Sequence, residues 1–194
     1  MSEKKNLTIE ETFALAVQNH KKNNLQVAEN LYKKILKINP NYAGVYYNLG
    51  IMYRELKEYQ KTIDSYEKAI QIDSNYTQAH ANLGIVFIEL EEYQKAINCF
   101  QRAIHIQPDY AEAHNNLGLA FKKIKEYQKA MGCYEKAIQI DSNYTQAHTN
   151  LGMVFIELEE YQKAINCFQK AIHIQPNYAE AHNNLGLAFK KIKE

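Results

Sequence analysis

The sequence predicts an all-α fold in which short helical hairpins follow one another as an α-solenoid, and three observations carry that prediction. The chain matches itself at a shift of 34 residues. Each unit holds two amphipathic segments whose apolar residues recur at spacings of three and four, the period of a helix. Between the two segments lies only a link such as Glu91-Glu92-Tyr93, too short for anything but an antiparallel turn.

The self-match is dense. A shift of 34 aligns Asn-Leu-Gly starting at Asn48, Asn82, Asn116, Asn150 and Asn184, and Glu-Tyr-Gln-Lys starting at Glu58, Glu92, Glu126 and Glu160. Tyr42, Tyr76, Tyr110, Tyr144 and Tyr178 form one column. A shift of 68 does better: residues 77–110 and 145–178 differ at only four positions, so repeats were duplicated in pairs. The stretch AEAHNNLGLAFKKIKE fills residues 111–126 and recurs unchanged at 179–194.

The elements follow in order. Residues 1–6 read as a polar N-terminal tail and residues 7–194 as one array. Repeat 1 takes about 9–42, repeat 2 takes 43–76, repeat 3 takes 77–110, repeat 4 takes 111–144 and repeat 5 takes 145–178. A terminal half repeat occupies 179–194. With the residue after each column tyrosine as position 1, repeat 3 shows the pattern best. Ala79, Leu83, Val86, Phe87 and Leu90 stripe the first helix, and Ala96, Phe100, Ala103 and Ile104 the second. Asn75, Asp109, Asn143 and Asn177 precede first helices, with Gln78, Glu112, Gln146 and Glu180 three residues on, which reads as a capping box. Pro40, Pro108 and Pro176 end second helices, with Ser74 and Ser142 in that place elsewhere. Gly50, Gly84, Gly118, Gly152 and Gly186 lie mid-helix at a cost of roughly 1 kcal/mol each, so a close approach of neighbouring backbones, with Ala96, Ala130 and Ala164 opposite, is expected there. A single hairpin cannot bury both apolar faces, so each needs the next.

The pattern resembles the tetratricopeptide repeat. Repeat 3 supplies Leu83, Gly84, Phe87, Ala96, Phe100, Ala103 and Pro108, and repeat 4 supplies Leu117, Gly118, Phe121, Ala130, Tyr134 and Ala137 with Ser142 in place of proline. Repeat 1 keeps Leu15, Ala16, Ala28, Tyr32 and Pro40 but departs at Asn19 and Ile35. The resemblance implies a right-handed α-solenoid whose first helices line a concave groove that binds peptides or proteins.

On that groove face the resemblance places Asn48, Asn82, Asn116, Asn150 and Asn184 in a ladder, beside Ile85, Leu119, Met153 and Leu187, with Lys123 and Lys191 toward the helix ends. Each amide offers a donor and an acceptor, the complement of an extended backbone, and the aliphatics offer seats for side chains. The competing reading is structural: the asparagines bond neighbouring helices and the aliphatics extend the core. The positions where related domains clamp a terminal carboxylate hold Gln, Glu, Ala, Thr and Asn, which argues against that ligand. The asparagine ladder is similar to the arrays that precede O-linked N-acetylglucosamine transferase domains.

Composition narrows the classes further. With 23 basic and 22 acidic residues the net charge is +1, no field for nucleic acid or anionic lipid. Stacking aromatics are scarce on the groove face, which argues against RNA. No apolar run reaches the length of a membrane span, and the N-terminus lacks a signal-peptide core. A cytoplasmic protein is the expectation, with the sequons at Asn6, Asn75 and Asn143 unused. Cys99, Cys133 and Cys167 stand one repeat apart, beyond disulfide reach, and read as small apolar fillers. His80, His114, His148 and His182 recur once per repeat, about 8–10 Å apart at helix-packing spacing, too far to share a metal. They read as packing caps between helices. Repeats 3 and 5 end their first helices with Glu89, Glu91, Glu92 and Glu157, Glu159, Glu160, whereas Lys122, Lys123, Lys125 and Lys190, Lys191, Lys193 stand in repeats 4 and 6. This alternation reads chiefly as a solvated face, with pairing between adjacent hairpins as the second option.

Neither a phosphate loop nor HExxH, GxSxG or CxxC is present, and every histidine or carboxylate of interest is a repeat copy. The expected function is therefore a protein-interaction scaffold that is not an enzyme, takes no cofactor or metal, and binds an extended peptide or partner protein. The alternatives are the substrate-recruiting part of a larger glycosyltransferase, methyltransferase or sulfotransferase, and a self-assembling array that associates through its terminal helix. That helix keeps Leu185, Ala188 and Phe189 as though still internal, which suggests a longer array or a docking end.

Overall fold

A computed structural model describes residues 7–193, with side chains to residue 192; the proposed tail at 1–6, Asn6, the side chain of Lys193 and Glu194 lie outside them. The described residues form eleven α-helices and no strand. Four hairpins pair α1 (Ile9–Lys21) with α2 (Leu25–Ile38), α3 (Ala43–Glu55) with α4 (Tyr59–Ile72), α7 (Ala111–Lys123) with α8 (Tyr127–Ile140), and α9 (Thr145–Glu157) with α10 (Tyr161–Ile174); α5 (Thr77–Glu89) and α6 (Tyr93–Ile106) come between the second and third of them in the chain. Helix α11 (Ala179–Lys193) follows.

Helix starts differ from the capping-box expectation. A true capping box appears at α1, where Thr8 Oγ1 accepts from the Glu11 N–H at 3.1 Å and Glu11 Oε2 accepts from the Thr8 N–H at 2.9 Å. At α3, α7 and α9 the caps are instead Tyr42, Tyr110 and Tyr144, with no side-chain cap bond. The preceding Asn is used differently. The N–H groups of Asn75 and Asn143 donate to Asp73 and Asp141 Oδ1, both at 3.0 Å, closing Asx turns one step earlier in the chain. The tight turn shifts the helix start by one residue, which puts the tyrosine at the cap.

The hairpin turns are built alike. Helix α3 ends in a Schellman motif, in which the Glu58 N–H reaches the Tyr53 carbonyl and the Lys57 N–H reaches that of Arg54, both at 2.9 Å. The same pair of bonds closes α1, α5, α7 and α9. The residue in the left-handed conformation is Asn23, Lys57, Glu91, Lys125 or Glu159, with φ between 58° and 61° and never glycine. A second device repeats after the turn. Lys61, Lys95, Lys129 and Lys163 pair with Glu58, Glu92, Glu126 and Glu160, and each ammonium also lies 5.2–5.4 Å from the ring centroid of Tyr53, Phe87, Phe121 or Phe155. These pairs lie within one hairpin, while between adjacent hairpins Lys122 and Glu157 lie close enough to interact electrostatically. The charge-bearing Glu91, Glu157, Glu159, Lys123 and Lys125 are exposed.

The chain groups into two compact units, one reaching to Val86 and the other starting at Phe87, so that the division falls inside α5. In the first, α1 packs on α2, α3 on α4 and α2 on α3, with α1 beside α3. Its core gathers Ala16, Ala28, Tyr32, Ile35, Val45, Leu49, Met52 and Tyr53. In the second, α6, α8 and α10 each cover the first helix of the following repeat, and α7, α9 and α11 lie side by side. Its core repeats Ala113, Leu117, Phe121, Ala130, Tyr134 and Ala137 in the next repeat as Ala147, Leu151, Phe155, Ala164, Phe168 and Ala171, all buried. Each such Leu or Phe contributes about 1.5–3 kcal/mol by leaving water. Of the predicted stripe, Leu90 and Ile104 are only half-buried.

The mid-helix glycines serve a different contact from the one expected. A Cβ on Gly50, Gly118 or Gly152 would meet the ring of Tyr66, Tyr134 or Phe168 at 2.5–2.7 Å. The approaching group is thus the large aromatic of the second helix, laid flat on the first helix, and not a neighbouring backbone or the alanine column. At Gly186 there is nothing within 4 Å.

Candidate functional site

Helix periodicity sets positions 6 and 9 of each first helix on one face, and within a unit neighbouring first helices lie beside each other. In the second unit, α7, α9 and α11 carry Asn116, Asn150 and Asn184 with Leu119, Met153 and Leu187. All are half-buried except Leu187, which is exposed. Lys123 and Lys191 are exposed at the same helices' far ends. In the first unit, Asn48 and Ile51 line a concavity of about 350 Å³ with Val17, His20 and Glu55. There the His20 imidazole stands 3.0 Å from Glu55 Oε2 on the rim. Asn82 and Ile85, in the part of α5 that belongs to this unit, are half-buried as well.

The asparagine amides are partly engaged inside the protein. Asn82 Nδ2 donates to the Tyr47 hydroxyl at 3.1 Å, and Asn150 Nδ2 donates to Asn115 Oδ1 at 3.0 Å. Asn48 Nδ2 donates to the carbonyl of Gly44, one turn back, at 2.8 Å, while Asn116 Oδ1 accepts from Asn115 at 3.3 Å. One donor of Asn48, Asn82 and Asn150 is thereby committed, and their Oδ1 atoms keep the accepting role. The residue that the sequence reading overlooked is position 5 of the preceding repeat, Tyr47 or Asn115. The available signal was spacing: 35 residues separate each donor from its acceptor, one repeat plus one position. In the intervening repeat Ala81 stands at position 5 and cannot accept, so the bridge follows the 68-residue period.

Each repeated histidine bonds the turn behind it. Nε2 of His80, His114, His148 and His182 lies 2.7–3.1 Å from the carbonyl of Ser74, Pro108, Ser142 or Pro176, six residues back. A carbonyl only accepts, so Nε2 carries the proton and the ring ties the helix to the turn that precedes it. That hydrogen bond is local to each repeat's entry, while the ring of His114 also stands among residues of α6 and α8. Among the described residues no three His, Cys, Asp or Glu side chains gather as metal ligands would. Cys133 and Cys167 are pushed up to about 11 by burial, which keeps them as thiols.

Sequence models of the tetratricopeptide repeat match residues 43–76 and 111–144, and a second model of the same repeat matches 86–125 and 152–193. No curated protein sequence is significantly similar to the chain. Among solved structures, MamA is 29% identical with a TM-score of 0.78 over 85% of this chain and 96% of its own. YrrB, a TPR protein with an unusual peptide-binding site, is 25% identical with a TM-score of 0.75, covering 91% of each chain. PilF of Pseudomonas aeruginosa shares the fold at a TM-score of 0.82 and 19% identity, over 95% of this chain and 86% of its own.

Proposed function

Because the chain belongs to the tetratricopeptide repeat family, we propose that it is a protein-interaction scaffold whose first-helix faces hold an extended segment of a partner protein. The observation that carries this reading is the row of half-buried aliphatics, Leu119 and Met153, beside asparagine carbonyls on adjacent helices. Aliphatics in that state offer apolar surface for side chains, and the carbonyls accept from the N–H groups of an extended backbone. The peptide-binding site of YrrB supports the same use of the fold. A scaffold needs no catalysis, and we assign none: the groups on these faces are repeated, whereas a reaction centre needs one singular constellation.

The test replaces Leu119 and Met153 together by glutamate, both on the candidate face, and compares partners captured by wild-type and variant chains. The expected outcome is loss of the wild-type partners with unchanged helicity by circular dichroism. Capture of the same set by both would sink the assignment. Alanine at Asn82, Asn116 and Asn150 is a weaker test, because Asn82 and Asn150 also bridge repeats, each bond worth about 1 kcal/mol. Lower melting is expected in that triple variant alongside lost capture.

Self-association through α11 is a second reading, favoured by Leu187, Phe189 and Ile192 at 39%, 46% and 50% exposure along one helix. Light scattering across a concentration series separates the two, since a constant monomer mass excludes it. We propose the cytoplasm as the compartment. No helix among the described residues is long and apolar enough to cross a membrane, and the cysteines form no disulfide.

A further inference from the structure

One difference among the second helices leaves space on the surface. At position 22, four repeats carry Asn30, Asp64, Asn98 and Asn166, each accepting from the glutamine four residues earlier. Repeat 4 has Gly132 there, and a Cβ built on it would meet nothing within 4 Å. Gly132 lines a concavity of about 540 Å³ between α6 and α8. Its floor is apolar, made by Ile104 of α6 and by Leu117 and Phe121 of α7.

The charge at this place is also singular. Position 25 is glutamate in repeats 2 and 4, Glu67 and Glu135, and Glu135 lies close enough to raise the thiol pKa of Cys167. At the concavity the corresponding wall residue is Gln101, so the carboxylate is gone. Lys136 stands on the rim, held by the neutral Gln139 at 2.9 Å, and Lys129 stands beside it, paired with Glu126. No acidic side chain lines the opening. An apolar floor under ammonium groups, where a polar filler and a carboxylate have both been lost, is complementary to one chemistry.

We infer that the α6–α8 concavity is a second docking site, seating an aromatic or aliphatic side chain of a partner peptide over Gly132 while a carboxylate next to it in that peptide pairs with Lys136. The site opens between second helices over a floor that α7 shares, and neither Asn116 nor Leu119 lines it. It gives repeat 4 a partner contact that the otherwise similar repeats lack.

The three equivalent cysteines supply the test. Cys133 lines the concavity, and Cys99 and Cys167 hold the same position beside Asn98 and Asn166. The intact chain is equilibrated, in excess 2-mercaptoethanol, with a disulfide probe bearing a phenylalanyl-aspartate amide. A matched phenylalanyl-lysine probe serves as control. Peptide mapping by mass spectrometry reads the extent of exchange at each cysteine. The aspartate probe is expected to occupy Cys133 about fivefold more than Cys99 or Cys167, and about fivefold more than the lysine probe does. Gly132→Asn, which restores the residue of the other repeats, brings Cys133 down to the level of its two counterparts. Gly132→Ala, which raises helix propensity without filling the space, keeps the preference. Equal occupancy of the three cysteines, equal response to the two probes, or indifference to Gly132→Asn overturns the proposal. Thermal melting of both variants confirms that each is folded when the occupancy is read.

Discussion

Helices α7 and α11 grow from the same sixteen residues and end in different surroundings. Ala113 and Ala181 are both fully buried, as are Ala120 and Ala188, so each copy docks the same edge on the preceding hairpin. His114 and His182 each bond the turn carbonyl behind them. On the other flank the copies part. Phe121 is 8% exposed under the hairpin that α8 completes, whereas Phe189 is 46% exposed. Asn115 is buried and bonded to Asn150, whereas Asn183 is exposed. Helix α7 stops at Lys123 and turns through Lys125 at a φ of 61°, but α11 runs helical through Lys193, the matching lysine. One sequence thus carries an intrinsic half, the alanine edge with its histidine tie, and a conditional half that only a following hairpin can realise.

The largest effect should come from the ring on the conditional flank. Phe121→Ala is expected to cost about 3–5 kcal/mol, the usual penalty for emptying a buried aromatic site. Phe189→Ala is expected to cost under about 2 kcal/mol, because that ring keeps much of its contact with water. Urea denaturation of the two variants reads the difference directly. Equal losses would break the comparison, since Phe189 would then have cover equivalent to that of Phe121.

The glycine pair should differ in sign. Gly118→Ala drives a Cβ to 2.7 Å from Tyr134, and overpacking of that kind costs about 1–3 kcal/mol. Gly186→Ala meets nothing and should gain up to about 1 kcal/mol from helix propensity alone. If both substitutions stabilise, the Tyr134 ring yields easily and is not the reason for the glycine.

Much of this arrangement is legible in the sequence. The 3.6-residue stripe located the helices and most of the buried face of repeat 3, because periodicity fixes which face turns inward, while Phe121 and Phe189 show that the cover depends on the neighbour. The glycine column announced a close approach but not the approaching group, because Tyr134 and Ala130 both lie on the face of α8 opposite it. Asn82 and Asn150 stand out in the sequence as a repeated column, yet their tie to Tyr47 and Asn115 required knowing how adjacent first helices are offset. The left-handed turn residues left the least trace. Lysine and glutamate favour helix, so nothing local marks Lys57 or Glu91 as a bend.

The ring that covers Gly118 offers a smaller effect. Tyr134 is wholly buried and its hydroxyl lacks a hydrogen-bond partner, while the matching residue of repeat 5 is Phe168. An unpaired buried hydroxyl is unfavourable, so Tyr134→Phe should gain about 1 kcal/mol. Phe168→Tyr should lose a similar amount, measured by the same denaturation. A loss on Tyr134→Phe would mean that a water satisfies the hydroxyl, and that repeats 4 and 5 differ there in hydration as well as in residue type.

The smallest expected effect bears most directly on why α7 ends where it does. Lys125 adopts a conformation that costs a residue with a Cβ about 1–2 kcal/mol, and glycine escapes that cost. Glycine also loses more backbone entropy on folding, about 0.5–1 kcal/mol, so Lys125→Gly should gain only a fraction of a kcal/mol. At Lys193 the backbone is helical and there is no such cost to relieve, so Lys193→Gly should give no gain. If the bend were written into the sixteen residues, both copies would bend and both substitutions would respond alike. Opposite responses would place the cause in α8, whose packing against α7 offsets the cost of the bent lysine.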